Sequence, residues 1–477
     1  ASSPRDNCFF LLHNLGGGVF QEVAQDPTIV AGTLSCQMFG ESFAWADVDA
    51  DGDLDLWLTA YPDDVNPGSG GNQFLENLGP TGPGGAYHFA VRTQESGLFV
   101  PDNVNRPEGA QFVDVDRDGD TDGFANNTVY QNVSDGGGPR FLQLVRNVTG
   151  ITLANVLDEG TVLFDHDLDG DPDLVCVYRG RNVLWENRGD GTFFDASERL
   201  ETPSSGATEG CSAEDWDLDG DLDLSTAATF RRNLLVETGT PFLRLATTAI
   251  NESFLNFCMP AWADWDKDGD VDCALGNFSG RGAFFRNTTY SVATPALQKT
   301  ALRVRAVRDS DTLARGLETE FGATVELRPH GDTRGFVRRR FVAASHGYLQ
   351  QSEYALTLAL PPGPDPDAPA RGVVFDLLVD FPELSGNGIL RIDRDVNPVL
   401  GELELETLVE RELTVFRSGA VLVDGALVPP RAAFARHLST TGALVLPAPG
   451  VVLDAPLPAP ASPWFVGLEL DTRSVDS

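Results

Sequence analysis

Along the first 290 residues, short apolar runs rich in aromatic and β-branched residues alternate with acidic stretches. In FAWADVDADGDLDLWLTA, residues 43–60, the runs FAWAD and LDLWLTA flank a segment with Asp at every second position. Flanks this short and apolar suit strands, so the pattern predicts a strand, loop, strand hairpin. The register recurs as DVDRDGDTD from 114, DHDLDGDPD from 165, DWDLDGDLD from 215 and DWDKDGDVD from 264. Every copy carries Asp at positions 1, 3, 5, 7 and 9 and Gly at position 6.

The copies begin at 47, 114, 165, 215 and 264, intervals of 67, 51, 50 and 49 residues. That period is typical of a propeller blade. Two further strand-like pieces follow each hairpin: NQFLENLG and AYHFAV, NTVYQN and RFLQLV, then NVLWENRGDGTFFDAS. The fourth copy reads NLLVETGTPFLRL, which keeps the shape but loses the Asn that ends the third piece elsewhere. Four antiparallel strands per unit of about 50 residues make the blade of a β-propeller. The opening CFFLLHNLGGGVFQEVA matches the third and fourth strands of a unit, so residues 7–24 are expected to supply the missing outer strand of the last blade. Strand addition into a neighbouring copy, building a filament, is the alternative. The connection AYPDDVNPGSGGN, residues 60–72, is a candidate contact loop or a plain insertion.

Alternate short carboxylates around a Gly that permits a sharp turn wrap hard oxygen ligands about one cation. Magnesium keeps its water and transition metals prefer nitrogen or sulfur, so calcium is the expected ion. The candidate ligands are Asp47, Asp49, Asp51, Asp53 and Asp55; Asp114, Asp116, Asp118, Asp120 and Asp122; Asp165, Asp167, Asp169, Asp171 and Asp173; Asp215, Asp217, Asp219, Asp221 and Asp223; and Asp264, Asp266, Asp268, Asp270 and Asp272. A helix-loop-helix calcium site requires Glu at position 12, which here is Leu58, Ala125, Cys176, Thr226 or Leu275, so that motif is rejected. His166, the one histidine inside a loop, sits between ligand positions.

Charge and composition set the surroundings. The 477 residues carry a formal charge of −37, with 49 Gly and 30 Pro, too many turn formers for a helical protein. Of the 71 acids, 25 lie in the five loops. Nucleic acid is excluded as a partner by the absence of a basic footprint. No apolar run is long enough to span a membrane as a helix. The start at ASSPRDNCFF is read as a mature chain after signal removal. Cys8, Cys36, Cys176, Cys211, Cys258 and Cys273 form an even set without CxxC spacing, which favours disulfides over zinc, with Cys8 and Cys36 the preferred pair. Sequons at Asn126, Asn132, Asn147, Asn251, Asn277 and Asn287 are glycosylation candidates. Together these place the protein outside the cell, where calcium is abundant.

The five DxDxDG loops and their flanking strands resemble the FG-GAP/VCBS repeats of integrin α-subunit propellers and secreted bacterial proteins, over roughly residues 7–295. The resemblance implies that the first, third, fifth and ninth Asp of each loop ligate calcium by side chain and the seventh by its carbonyl. Beyond residue 298 the pattern changes to alternating strands. FGATVEL (Gly322, Ala323, Val325), FVRRRFV and GYLQQ (Gly347 to Gln351) resemble the ASPIC/UnbV domain of the cartilage acidic proteins, although the Asn-Arg-x-Gly-x-Gly stretch usual before it is replaced by TLARGLETE. The expected fold is therefore all-β: a calcium-binding propeller with five metal-bearing blades and five to seven in total over 1–298, an ASPIC/UnbV-like β domain over 299–400, and Pro-rich strands, a small β-sandwich or a strap, over 401–477.

Two functions are weighed. A calcium-stabilised extracellular scaffold or adhesion protein, binding a protein or glycan or polymerising with itself, is favoured. A secreted propeller hydrolase or lyase is the alternative, because fold does not fix function. Ser345 and His346 in AASHG are adjacent on a strand and point to opposite faces, so they make no nucleophile and base pair. Trp45, Trp216 and Trp262 recur on the metal hairpin, where core packing is the natural reading. No catalytic residue is assigned.

Overall fold

The computed structural model describes most of residues 10–289, apart from loops such as 33–37, 63–71, 82–86, 99–108, 152–157, 202–209 and 247–257, together with 301–307, 319–329, 338–343, 351–359, 375–381, 412–416, 421–423 and 426–428. The chain is all-β, with only single-turn helical segments among these residues. No described helix is long and apolar enough to cross a membrane.

Five consecutive antiparallel meanders fill the first part. Unit one holds strands Met38–Ala46, Asp55–Pro62, Asn72–Asn77 and Phe89–Val91, with Val30–Ala31 added parallel to the last. Unit two holds Ala110–Val113, Asp122–Ala125, Thr128–Asn132 and Phe141–Leu144; unit three Asp158–Phe164, Asp173–Tyr178, Arg181–Asn187 and Phe193–Asp195. Unit four holds Cys211–Glu214, Asp223–Thr226, Thr229–Arg232 and Arg244–Leu245, and unit five Cys258–Ala263, Asp272–Asn277 and Ala283–Phe285. The register is the same throughout. The residue before the first loop Asp pairs with the ninth in every unit: Ala46 with Asp55, Val113 with Asp122, Phe164 with Asp173, Glu214 with Asp223 and Ala263 with Asp272.

The hydrophobic core lies between sheets. One cluster joins Trp57 and Phe74 of unit one to Phe112 and Tyr130 of unit two. The next joins Val113 and Phe124 to Leu174 and Trp185, and a third joins Phe164 and Leu184 to Leu222 and Leu224. Phe230 of unit four meets Trp262 and Leu275 of unit five. A four-residue strand such as Asp122–Ala125 is buried at every position because both faces of its sheet are covered, which is why its residues do not alternate strictly.

The N-terminal segment corrects one expectation. Leu12–Gly16 and Val19–Glu22 pair with each other as a two-stranded sheet, and Leu11, Val23 and Ala24 beside them pack on Leu56, Leu75 and Phe89 of unit one. These strands therefore do not complete unit five. A hairpin closed by its own Gly17–Gly18 turn, both residues at positive φ, satisfies its backbone locally. Among the described residues no strand pairing joins unit five to unit one.

Past residue 300 two sheets face each other. Leu356–Ala359, Ala301–Val307, Glu412–Phe416, Val421–Val423 and Ala426–Val428 form one, in that order. Arg338–Phe341, Thr324–Pro329 and Phe375–Asp380 form the other. Leu302, Val304 and Ala306 from the first meet Val325, Leu327 and Leu377 from the second in one apolar layer, as in a β-sandwich. Strand Glu412–Phe416 lies parallel against Ala301–Val307. The expected boundary at residue 400 thus cuts through this sheet. The contact loop 63–71, the Gly347 to Gln350 turn, Ser345, His346 and everything after 428 lie outside the described residues.

Candidate metal centres

The loops are built alike, beginning with their backbone. Position 4, which is Ala50, Arg117, Leu168, Leu218 or Lys267, has φ of 54–61°, and the Gly at position 6 has φ of 99–107°. The first value is strained for a residue with a Cβ, and the second suits glycine alone. The first Asp holds the turn, its two oxygens accepting the N–H groups of positions 5 and 6 at 3.0–3.3 Å in all five loops. Side-chain oxygens of positions 1, 3 and 5 converge within 4.8 Å of one another in units one and three, and those of positions 1, 3 and 9 do so in units two and four.

The remaining oxygens point to a ligand. Oδ1 of Asp49, Asp167 and Asp266, and Oδ2 of Asp223 and Asp272, are buried with no hydrogen-bond donor. Oδ1 of Asp171 and Asp221 is in the same state, and those side chains are 3% and 0% exposed. The seventh residue, expected to offer its carbonyl, also has its side chain buried beside the other acids in units two to five. Like charges held this close and dry resist ionisation. Burial first, then Asp51 and Asp47, push Asp49 up to about 7, and burial with Asp118 and Asp116 does the same to Asp114. Asp171 and Asp221 rise to about 8 for the same two reasons. Burial raises Asp55, Asp122, Asp165, Asp173, Asp215 and Asp223 well above the ordinary carboxylate range. A dication suits this donor set, because hard oxygens without donors and unrelieved like charge are what it removes.

Sequence reasoning missed the element that ties one loop to the next. An asparagine stands at the end of the third strand of each unit or within two residues past it: Asn77, Asn132, Asn187, Asn233 and Asn287. Its backbone N–H donates to Oδ1 of the ninth Asp at 2.7–2.9 Å. Its Nδ2 donates to the position 8 carbonyl of its own loop at 3.0–3.2 Å. From unit two onward the same Nδ2 also reaches back to the position 2 carbonyl of the preceding loop, at 2.7–2.8 Å: Asn132 to Val48, Asn187 to Val115, Asn233 to His166 and Asn287 to Trp216. The fourth copy therefore keeps its Asn, at 233. Its third strand is TFRR, upstream of the segment NLLVETG that resembled it. The Asn follows the ninth Asp of its own loop by 22, 10, 14, 10 and 15 residues, too variable a spacing to stand out in the sequence.

The same bonds correct two glycosylation candidates. The Nδ2 that a glycan would occupy is committed to backbone carbonyls in Asn132, 2% exposed, and in Asn287. Asn126, Asn147 and Asn251, and the side chain of Asn277, lie outside the described residues, as do Cys8, Cys36 and the side chain of Cys258. Cys176, Cys211 and Cys273 are buried in three different inter-sheet clusters. His166 is wholly buried, with Nδ1 2.5 Å from Asp173 Oδ2 and Nε2 3.4 Å from Arg199, and desolvation lowers its pKa. It braces the ninth Asp from behind. Trp262 is 5% exposed and donates to Ser212 Oγ at 2.9 Å, whereas Trp45 and Trp216 are partly buried at the edges of clusters.

The β-sandwich sits on these loops. Arg340 pairs with Glu214 of unit four, both buried, and Arg303 lies 3.4 Å from Asp264 while bonding Glu353. Glu353 accepts the N–H of Asp264, and its own N–H donates to the Trp262 carbonyl. Arg339 bonds Glu326 and comes within 3.9 Å of Asp165, while Leu218 packs with Ala301 and Ala359. Trp45 and Leu54 of unit one touch the sandwich core.

A family model for the FG-GAP-like repeat matches residues 165–225, from the third loop through the fourth. No curated protein matches the chain. Among solved structures it is similar to rhamnogalacturonan lyase YesW, at 13% identity and a TM-score of 0.29 over 69% of this chain and 48% of that one. It is also similar to the V. cholerae biofilm matrix protein Bap1, at 13% identity and a TM-score of 0.23 over 81% of this chain and 59% of that one. The chain thus spans 48% and 59% of the length of these two proteins, and over residues 165–225 it carries the FG-GAP-like repeat.

Proposed function

We propose that the five loops bind calcium and that the protein is a non-catalytic extracellular scaffold, a propeller-like body whose work is to engage a protein or glycan partner or further copies of itself. The observation that carries this reading is the recurrence, in units one, three, four and five, of buried carboxylate oxygens without donors inside a loop geometry common to all five. A structural metal site is closed by its protein ligands, whereas a catalytic one keeps an open position. Here side chains of positions 1, 3, 5 and 9 would hold the ion, which supplies charge neutralisation and a tie between the first two strands of each unit. The Asn chain then passes that rigidity from loop to loop.

The test is calcium counting by equilibrium dialysis together with thermal unfolding. Five ions per chain are expected, and Tm rises with free calcium because each filled site adds about 2.7 kcal/mol at a hundredfold excess over Kd. Zinc in place of calcium, or the same melting curve in calcium and in chelator, would refute the assignment.

A further inference from the structure

The five loops share one backbone but not one set of neighbours. The residue just before the clamp asparagine faces the third Asp of its own loop in every unit, and its charge changes along the chain. It is Glu76 in unit one, Gln131 in unit two, Glu186 in unit three, Arg232 in unit four and Arg286 in unit five. Glu76 and Glu186 add negative charge beside Asp49 and Asp167. Gln131 Nε2 donates to Asp116 Oδ2 at 2.7 Å. In the last two units a guanidinium stands there. Arg232 forms ion pairs with Oδ2 of both Asp217 and Asp219, the latter at 3.0 Å. Arg286 bonds Oδ2 of Asp266 at 2.6 Å and of Asp268 at 3.0 Å.

These contacts differ in kind from the other arginines near loops. Arg92 is taken up by Glu76 at 2.9 Å, and Arg199 by Glu186, remaining 3.7 Å from Asp167. Only in units four and five, among the described residues, does a cation bridge the third and fifth aspartates. Those loops still turn oxygens inward without donors, Oδ2 of Asp223 and Oδ1 of Asp266 with Oδ2 of Asp272. The loop is thus complete as an ion site yet already partly neutralised from its outer side.

We propose that this position grades the loops into two classes. Those of units four and five, bridged by Arg232 and Arg286, take a divalent cation more weakly than those of units one to three. This rests on the loops being cation sites and adds that they are unequal. Two positive charges sharing the same carboxylates oppose each other, so the metal and the guanidinium are negatively coupled, each lowering the other's hold by the same factor. Arg232 has somewhere to go when the ion enters, since Glu237 already shares its guanidinium. Arg286 is about half exposed, so solvent can receive its guanidinium when the ion enters. Weak sites in the last two units would then fill and empty within a range of calcium over which the first three stay occupied.

Calorimetric titration of the full chain with calcium, after removal of bound ions, tests this. Three tight and two weaker sites are expected, separated on the order of tenfold, mid-range for coupled ligands. R232Q/R286Q should bring the weak pair up to the tight class, and Q131R should move one tight site down, giving two and three. R286Q alone, at a half-exposed side chain, should shift one site, with an unchanged melting curve in saturating calcium checking the fold. Five equivalent sites in the unaltered chain, or arginine variants that bind no tighter, would overturn the grading while leaving the calcium reading intact. Uptake of no calcium at all would remove both.

Discussion

At the residue scale the asparagine clamp ties each unit's ninth Asp and, from unit two onward, the preceding loop to one residue. Asn187 spends its N–H on Asp173 and its Nδ2 on the carbonyls of Pro172 and Val115. Asn187→Ala should destabilise the chain by roughly 2–4 kcal/mol, because each buried group left unpaired costs about 1–3 kcal/mol. Urea unfolding with calcium held saturating measures it. The aspartates give a second expectation. Asp49 and Asp114 titrate at about 7 and Asp272 at about 6 without metal, against a reference of 3.8. A carboxyl whose folded pKa is raised favours the folded chain below the unfolded value and loses that contribution as pH climbs through the folded one. In chelator, Tm should therefore fall from pH 4 to pH 8, most steeply near pH 5 to 6, where these carboxyls are protonated in the folded chain and ionised in the unfolded one, and flattening above about pH 7. In saturating calcium the slope should reverse, because the ion displaces protons. A chelated chain that is more stable at pH 8 than at pH 5 would contradict the burial of these acids.

At the scale of the element, each hairpin is closed by a pair between the residue before the first Asp and the ninth Asp, and the turn between them depends on its glycine. Gly52 and Gly170 adopt nearly the same backbone, φ +102° and +105°, but in different surroundings. A Cβ on Gly52 meets nothing within 4 Å, whereas one on Gly170 runs into the Arg339 guanidinium. Gly52→Ala should cost only the backbone term, about 1–3 kcal/mol. Gly170→Ala should cost more and also loosen the sandwich. Comparing the two variants by thermal unfolding and limited proteolysis separates strain from clash; equal effects would mean that Arg339 does not rest on the third loop.

At the scale of the molecule, stacked sheets and the sandwich share polar as well as apolar contacts. The Arg340–Glu214 pair is the deepest of these, bidentate and buried, with Arg340 also donating to the Thr357 carbonyl at 3.0 Å. Removing one partner of such a pair strands the other, a cost of roughly 3–5 kcal/mol. Arg340→Ala should accordingly separate the sandwich from the loop-bearing units, seen as a larger radius of gyration in solution scattering and an earlier proteolytic cut between them. Glu214→Gln should act in the same direction but less, since the amide still accepts one bond. An unchanged radius for Arg340→Ala would show that the apolar contacts of Leu218, Trp45 and Leu54 suffice to hold the sandwich in place.

The sequence by itself determined what is local and repeated. Five aspartates and a glycine at fixed offsets specify a turn whose oxygens converge, and apolar flanks specify the two strands, since both depend on residues within about ten positions. The all-β class and the meander of each unit follow from the same period. Three things were decided only in three dimensions. Asn132 and Asn287 read as sequons until their amides are seen bonded to a carbonyl of the preceding unit. The opening hairpin resembles a blade's outer strands, yet it closes on itself and packs on unit one, because strand pairing is chosen by available partners and burial rather than by pattern. The basic run at 338–340 shows no partner in sequence, and the fold sets Arg340 against Glu214, 126 positions away. Contacts of that separation leave no period to read, and they fix both the docking of the sandwich and the unequal surroundings of five otherwise identical loops.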